Sequence, residues 1–514
     1  MRFASLASIA TLLALAAPLP AWSQTPAKAE QKAGDGKGDN GKGDKVPAGE
    51  APAPNRVVAK RSGVFGGVRM NYTAIVGETF LKDKAGKPTA AIFSTTYLKD
   101  SPEPNRPVFF LFNGGPGSGS LWLHMGAFGP KRVNLPDAKD DGAPPYDITD
   151  NPESLLDVAD LVFIDPVGTG WSYALGDTDP KTFWGVKSDA ESIAQFIRLW
   201  LNEHNRWNAP KFLGGESYGT TRSAAVAAEL TRDYNDVALN GVVLISTILD
   251  FGLEAEDEGN ELQHMGTLPS YAAAAWYHNK LNPRPATVEA AVAEARVFAT
   301  GPYVAALLKG NSLSADERAA VRARMAQLTG LSEAFLDRAN LRVTPGRFYK
   351  ELLRDRGLTI GRLDARYTGT DYDNAGEEPD NDPSFYGIDA SYPAAVNAYL
   401  RGDLGYKTDR SYVSIGPVGP WDWRLGNGRD AYVNVAPGLA RSLRENSRTK
   451  VWVGQGWYDF ATPFTFAEYA MNRPGWPKDR VEFHYYDAGH MMYVHDADRK
   501  KLSADLRDFI RRQK

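Results

Sequence analysis

A serine between two glycines is the first feature of this sequence that could do chemistry. Gly215 and Gly219 flank Ser217 in the order Gly-Glu-Ser-Tyr-Gly. Small residues at these positions allow a tight turn from a strand into a helix, and such a turn exposes the serine hydroxyl above the edge of a sheet. An apolar stretch precedes the turn and an alanine-rich stretch follows it. This context favours a nucleophile over a chance match among 49 glycines.

A serine nucleophile needs a base and a carboxylate that orients the base. Of the seven histidines, three follow the last apolar strand of the sequence: His484, His490 and His495. His490 comes just after a predicted strand, in the loop where a base is expected. His484 alternates within that strand, and His495 lies in a polar turn. Asp459 follows this last apolar strand, at residues 451–453. A surface histidine and a helix-capping aspartate are the alternatives, but the order serine, acid, histidine favours a catalytic set.

Short apolar strands alternate with helical segments over much of the chain. The strands are expected at residues 108–112, 161–164, 242–245 and 451–453, and residues 186–206 show apolar positions at helical spacing. Strands that are apolar throughout are buried on both faces. The pattern therefore predicts an α/β fold with a mostly parallel central sheet between layers of helices.

The alternation stops between residues 251 and 435, where the sequence is mostly helical and loop-like. We predict that residues 251–435 form a cap inserted into a core made of residues 56–250 and 436–514. Residues 24–55 are rich in Lys, Gly, Asp, Ala and Pro and have almost no large apolar side chains. Such a segment cannot offset the entropy of ordering, and we predict a disordered linker.

The first residues have the pattern of a secretory signal. Arg2 supplies a positive charge, a short apolar run follows, and small residues precede Gln24. We predict a signal peptide over residues 1–23 and an exported protein, either periplasmic or secreted. The apolar run is too short to span a membrane comfortably, so no stable membrane anchor is expected after cleavage.

The composition of the chain excludes several kinds of site and partner. The chain of 514 residues has no cysteine, which excludes disulfides, cysteine nucleophiles and thiolate metal sites. A formal net charge of -4 leaves no basic excess, so no nucleic-acid partner is expected. No zinc-binding His-Glu-x-x-His or phosphate-binding loop occurs, and the loop from Asp371 to Asp382 only partly resembles a calcium loop. We predict no metal and no cofactor.

Four blocks in this order resemble the serine carboxypeptidase family. They are residues 113–117 (Asn-Gly-Gly-Pro-Gly), 151–152 with 164–173, 215–219 and 488–491. The resemblance runs over about residues 106–251 and 412–496 and implies an α/β-hydrolase fold and a peptide substrate. The predicted cap is not recognisable residue by residue.

The resemblance also implies roles for individual residues. Ser217, Asp459 and His490 would be the catalytic triad, and the N–H groups of Gly115 and Tyr218 would form the oxyanion hole. The residues assigned to substrate binding are Asn113, Glu216, Trp122 and Met491, with Asn113 and Glu216 on the terminal carboxylate.

Two positions depart from the family pattern. The family usually has a cysteine where Ser118 stands, and a second glutamate where Ala127 stands. In the family that glutamate shares a proton with the glutamate of the nucleophile block. Without it, we expect Glu216 to ionise more readily than in relatives with two glutamates, unless burial alone raises its pKa.

The leading hypothesis is a carboxypeptidase that works through an acyl-enzyme. An esterase or acyltransferase on the same scaffold is one alternative, although relatives that transfer acyl groups tend to carry Asp rather than Glu before the serine. A proline-iminopeptidase-like hydrolase is another, although its Gly-Gly-Pro-Gly block usually begins with His. A non-catalytic binding protein of the same fold is the third, and an intact triad disfavours it.

Overall fold

The structure, a computed structural model, describes residues 53–103, 105–232, 237–425 and 432–513. The predicted signal peptide and the predicted linker up to residue 52 lie outside the described residues. The strands are β1 Arg56–Phe65, β2 Val68–Lys82, β3 Pro88–Lys99, β4 Val108–Phe112, β5 Lys131–Val133, β6 Ile148–Asp150, β7 Asp160–Ile164, β8 Tyr173–Ala174, β9 Lys211–Ser217, β10 Gly241–Thr247, β11 Thr359–Ile360, β12 Thr368–Gly369, β13 Lys450–Gly456 and β14 Val481–Tyr486.

The helices are α1 Val186–Glu203, α2 Tyr218–Leu230, α3 Glu261–Tyr277, α4 Val288–Phe298, α5 Val304–Lys309, α6 Ala315–Thr329, α7 Glu333–Arg338, α8 Pro345–Glu351, α9 Pro383–Tyr386, α10 Ser391–Asn397, α11 Ala436–Glu445, α12 Phe464–Met471 and α13 Asp496–Arg512. Two short turns also matter for the site: a π-helical turn at Leu123–Phe128 and a 3-10 turn at Met492–Val494.

The central sheet has the strand order β1-β2-β3-β7-β4-β9-β10-β13-β14, with β8 paired to β3. The strands from β7 to β14 in this order are parallel to one another, whereas β1, β2 and β3 form an antiparallel extension. The predicted α/β class with a mostly parallel central sheet is confirmed. Parallel strands end at one edge of the sheet, which is where ligands bind in such folds. Ser217 ends β9 at this edge, and the loops after β13 and β14 begin there.

Both faces of the sheet are buried. In β4, Phe109 and Leu111 pack into an apolar cluster with α13, whereas Val108, Phe110 and Phe112 pack into a second cluster with α1 and α2. Side chains along a strand alternate between the two faces, so a strand covered on both sides must be apolar throughout. This requirement explains the continuous apolar runs in the sequence.

Between β10 and α11 the chain is mainly helical, with a short ribbon of β11 and β12. These helices have an apolar core of their own, which includes Phe460, the residue after Asp459. The Phe460 ring lies 5.7 Å from that of Tyr271 in α3 and 5.6 Å from that of Phe348 in α8, measured between ring centroids. The cap boundaries at 251 and 435 stay a prediction. The helical region between β10 and α11 packs directly on the loop that contains Asp459, the predicted catalytic acid.

Candidate active site

Ser217 lies at the sharp turn between β9 and α2. Its backbone has φ 60° and ψ -131°, a conformation that non-glycine residues rarely adopt. The turn depends on its small neighbours, because a Cβ on Gly215 would lie 2.0 Å from the carbonyl oxygen of Gly219. Strain of this kind is typical of functional sites, and here it exposes the serine at the carboxyl edge of the sheet.

Asp459 and His490 form a buried pair at the same edge. His490 Nδ1 lies 2.9 Å from Asp459 Oδ2, a distance at which the ring N–H donates to the carboxylate. Asp459 Oδ1 accepts from the N–H groups of Ala461 and Thr462 at 2.8 and 3.0 Å, and Thr462 Oγ1 donates to Oδ2 at 2.8 Å. The carboxylate is therefore fixed by its own loop, in the orientation that selects the imidazole tautomer with the proton on Nδ1.

The charge of Asp459 changes the titration of His490. Burial by itself would lower the pKa of His490, but the carboxylate of Asp459 and its hydrogen bond outweigh burial and raise this pKa above its usual value. A base with a raised pKa holds a proton more strongly once it has taken one from a hydroxyl. No hydrogen bond joins Ser217 to His490 within the described residues. Catalytic hydrogen bonds often tighten only in the substrate complex.

His484 and His495, the other two histidines after the last apolar strand, have other partners. The ring of His484 stacks on Trp452 with 5.0 Å between centroids, on the face of the sheet rather than at its carboxyl edge. His495 precedes α13, and its Nδ1 lies 2.9 Å from Asp498 Oδ2. Both histidines therefore have structural partners of their own.

Glu216 and Asn113 form a second buried pair beside the serine turn. Asn113 Nδ2 donates to Glu216 Oε1 at 2.9 Å, and Asn113 Oδ1 accepts from the N–H of Leu123 at 3.0 Å. Burial raises the pKa of Glu216 to about 7, although His490, Tyr493 and Asn113 oppose the shift. Burial thus replaces the like charge that Ala127 does not supply. Burial alone therefore raises the pKa of Glu216 enough to keep the carboxyl protonated to near neutrality.

The loop after β4 passes close to the serine turn. A Cβ on Gly114 would lie 2.5 Å from the backbone nitrogen of Tyr218, so only glycine permits this approach. Gly115 has φ 102° and is exposed. Gly115 and Tyr218, whose backbone N–H groups are predicted to form an oxyanion hole, thus lie on two segments that contact each other.

The other two predicted substrate-binding residues are largely buried. Trp122 directly precedes the π-helical turn at Leu123–Phe128. The centroid of its ring lies 4.7 Å from the centroid of the Tyr392 ring. Met491 follows His490 directly and is 8% exposed. Their contact with a substrate stays a prediction.

Arg222 is a residue that the sequence did not single out. It lies on α2, is 1% exposed, and its Nε donates to Asp189 Oδ2 at 2.7 Å. Its Nη1 donates to the carbonyl of Asn113, and its Nη2 donates to the carbonyl of Pro116 at 3.1 Å. The guanidinium therefore fixes both ends of the loop that contains Gly114 and Gly115. An arginine in an alanine-rich helix was the available signal, because a buried charge needs partners.

A segment between β11 and β12, residues 361–366, connects the loops of Asp459 and His490; we call it the bridging segment. Its hydrogen bonds to these loops are Phe460 N–H to Arg362 O at 3.1 Å, His490 N–H to Leu363 O at 2.6 Å and Gly489 N–H to Asp364 Oδ2 at 3.1 Å. These contacts join residues at least 98 positions apart, so no local sequence pattern predicts them.

The aspartate-rich loop that partly resembles a calcium site contains a buried ion pair. The ammonium of Lys350 pairs with the carboxylate of Asp371 and donates to the carbonyl of Asp373 at 2.8 Å. Lys350 thus supplies the positive charge there. Among the described residues, no group of three or more His, Asp or Glu side chains could hold a metal ion.

Comparison with known proteins agrees with this architecture. Residues 83–282 match the family model described as serine carboxypeptidase. Serine carboxypeptidase ctsa-3.2 of Caenorhabditis elegans is 30% identical over 126 residues, which are 24% of this chain and 22% of the relative. Serine carboxypeptidase-like 36 of Arabidopsis thaliana is 29% identical over 155 residues, 29% of this chain and 30% of the relative. The matched part thus spans less than a third of either relative.

A solved structure extends the likeness beyond the matched segment. A prohormone-processing carboxypeptidase from Saccharomyces cerevisiae has a TM-score of 0.52 to this chain at 15% identity, over 85% of this chain and 91% of that one. At that identity the likeness shows the fold alone. The family match includes both the serine turn and the Asn113–Glu216 pair. The chain thus has an α/β-hydrolase fold, and its residues 83–282 are similar to the serine carboxypeptidase family.

Proposed function

We propose that this protein is a serine-type carboxypeptidase that releases C-terminal residues from peptides through an acyl-enzyme. The observation that supports the proposal most is the 2.9 Å hydrogen bond between Asn113 and Glu216, directly beside the serine turn. A neutral carboxyl and an amide can both donate to a carboxylate. Because Glu216 immediately precedes Ser217, a peptide held by its terminal carboxylate would have its last carbonyl close to the serine hydroxyl.

In this proposal each predicted residue has one task. Ser217 Oγ attacks the carbonyl carbon of the last peptide bond while His490 Nε2 accepts the hydroxyl proton, and Asp459 stabilises the resulting imidazolium. The N–H groups of Gly115 and Tyr218 donate to the oxyanion of the tetrahedral intermediate. The carbon–nitrogen bond then breaks as His490 returns the proton to the leaving amine. The C-terminal amino acid departs and an acyl ester on Ser217 remains.

Water completes the cycle. A water molecule attacks the acyl ester while His490 again accepts a proton, and collapse of the second intermediate regenerates the Ser217 hydroxyl. The shortened peptide leaves with a new terminal carboxylate. That carboxylate can occupy the same position as the original one, so repeated trimming is expected.

The proposal is tested by mass spectrometry of peptides with blocked and with free N-termini, each in versions with a free C-terminal acid and with a C-terminal amide. Stepwise loss from the acid versions is expected. Loss from unblocked N-termini would favour the iminopeptidase-like alternative. Hydrolysis of simple esters without peptide trimming would favour the esterase. Absence of labelling by a serine-reactive phosphonate would favour a binding protein.

We also propose that the protein is exported to the periplasm or secreted. The charged start, the short apolar run and the small residues before position 24 support this proposal, although they lie outside the described residues. N-terminal sequencing of the protein recovered from each cell fraction tests it. An intact N-terminus in the cytoplasmic fraction would contradict export.

A further inference from the structure

Two buried polar atoms face each other beside the serine turn. Oε1 of Glu216 accepts from Asn113, but Oε2 has no hydrogen-bond partner among the described residues. The hydroxyl of Tyr493 lies next to the side chains of Glu216 and Asn113, and it too lacks a partner with normal hydrogen-bond geometry among the residues that the structure describes. Glu216 is 4% exposed and Tyr493 is 2% exposed. Unpaired polar groups in such surroundings are costly, so two of them side by side indicate a position for a ligand.

Tyr493 reaches this position because of its own turn and a glycine opposite. It lies in the turn Met492–Val494, just after His490. A Cβ on Gly126 would lie 2.5 Å from Cε2 of the Tyr493 ring and 2.7 Å from the hydroxyl of Tyr392. The absence of a side chain at Gly126 therefore admits both tyrosines. Gly126 is the residue before Ala127, so the Tyr493 ring packs against the segment where the resemblance led us to expect a second glutamate.

We propose that the Tyr493 hydroxyl donates to the terminal carboxylate of the substrate, in the place of the second carboxylic acid that Ala127 does not supply. The proposal rests on the proposed carboxypeptidase function and adds a recognition residue to it. The carboxylate would lie within reach of both Oε2 of Glu216 and the hydroxyl of Tyr493, next to Asn113. A phenol donates one proton and has no negative charge of its own at neutral pH, so it stabilises an anion without competing for a shared proton.

Polar and titratable groups surround this position. Glu216, Asn113 and Tyr392 lie near Tyr493, while His490 and Asp459 lie near Glu216. Burial, followed by the nearby Glu216, raises the pKa of Tyr493 well above its usual value. The phenol therefore remains a donor at pH values where Glu216 has ionised. Carboxylate recognition should weaken above neutral pH but should not disappear.

The test compares KM and kcat for a matched peptide acid and peptide amide in three proteins: wild type, Tyr493→Phe and Tyr392→Phe. The first substitution removes one hydroxyl and keeps the aromatic ring, so the fold should be kept. Tyr392→Phe is the matched control, because this tyrosine packs at the same glycine and no hydrogen bond joins it to Glu216 within the described residues. We expect Tyr493→Phe to raise KM for the acid by about tenfold or more, with kcat and the amide kinetics nearly unchanged.

The outcomes separate this proposal from the proposed function. An equal rise in KM for acid and amide would assign Tyr493 a packing role and overturn the proposal, as would an unchanged KM for the acid in an enzyme that prefers acids. If wild type hydrolysed acid and amide equally well, the carboxypeptidase function itself would fail. A second measurement is the pH dependence of KM for the acid: wild type should level off above neutral pH, and Tyr493→Phe should continue to rise.

Discussion

The backbone N–H of His490 donates to the carbonyl oxygen of Leu363 at 2.6 Å. This hydrogen bond joins the loop of the predicted base to the bridging segment between β11 and β12. The neighbouring Asp364 accepts from Gly489, and the same segment binds the loop after Asp459. The loops of acid and base are thus held by a third element that belongs to neither. Their relative placement depends on that segment as well as on the sheet.

The bridging segment can be tested at Asp364. Its carboxylate accepts from Gly489 N–H at 3.1 Å and from the buried guanidinium of Arg366 at 2.7 Å. The other carboxylate oxygen, Oδ1, accepts from the backbone N–H of Arg366 at 3.0 Å. Asparagine has a single acceptor oxygen and no charge, so it cannot replace both carboxylate oxygens. We expect Asp364→Asn to lower kcat by about tenfold through misplacement of His490. The measurement is kcat with a peptide acid, together with the melting temperature.

Asp137 provides a matched control. It also pairs with Arg366, at 3.0 Å, but its side chain is half-exposed and makes no hydrogen bond to Gly489 within the described residues. We expect Asp137→Asn to leave kcat within about twofold, since exposed ion pairs contribute little. Equal losses in the two variants would show that the effect comes from Arg366 and not from the hydrogen bond to Gly489.

Replacement of Ser217 tests the nucleophile. Ser217→Ala should abolish covalent labelling by a phosphonate and leave only the residual rate that binding and the oxyanion hole supply. The variant should fold, because it removes one hydroxyl that makes no hydrogen bond to His490. Labelling followed by intact-mass measurement checks the expectation. Turnover close to that of the wild type would rule out Ser217 as the nucleophile.

Replacement of Asp459 tests the acid. Asp459→Asn keeps the shape of the side chain but favours the wrong imidazole tautomer, and a loss in kcat of about ten-thousandfold is the expectation for such triads. Asp487→Asn is the control, because Asp487 lies in the same loop as His490 but is exposed. Should Asp459→Asn lose less than about tenfold, another carboxylate must orient His490.

The pH dependence tests Glu216. Burial raises its pKa from 4.5 to about 7, so the carboxyl is neutral below that pH and charged above it. A charged Glu216 repels the substrate carboxylate, so KM for a peptide acid should rise as pH increases through about 7, while KM for the amide stays flat. His490 must be neutral to act as base, so kcat should rise as pH increases through the raised pKa of His490.

Glu216→Gln isolates this effect. An amide can donate to a carboxylate at every pH, so the rise in KM for the acid should flatten in this variant. The experiment measures KM against pH for acid and amide in wild type and in Glu216→Gln. Identical profiles for all four combinations would remove Glu216 from carboxylate recognition and would reopen the esterase alternative.

Much of the fold follows from patterns within short stretches. The buried strands β4, β7, β10 and β13 were predicted, because a strand covered on both faces must be apolar along its whole length. The antiparallel strands β1 to β3 were missed. In β1 buried and exposed positions alternate, so its sequence lacks a continuous apolar run. Its place was decided by its register with β2.

The residues that support the site were harder to predict than the residues proposed to react. Ser217, Asp459 and His490 follow local motifs, and their catalytic roles stay predictions. Thr462 had a weaker signal, since an aspartate followed by Phe-Ala-Thr-Pro suits a turn in which the carboxylate caps the next N–H groups. For Arg222 the sequence showed only an arginine in an alanine-rich helix, and for the bridging segment it showed no motif. In both cases the hydrogen-bond partners are distant in the chain.

The sequence by itself determined the resemblance to the serine carboxypeptidase family, the strand–turn–helix at Ser217 and the order of the serine, acid and histidine loops, because each depends on residues close together in the chain. Tertiary structure decided the surroundings. The pKa of Glu216 depends on burial, which the sequence allowed for but did not determine. The hydroxyl of Tyr493 reaches Glu216 only because the turn after His490 packs against Gly126. Burial and long-range contacts arise from the packing of separate elements, and no short stretch of sequence contains them.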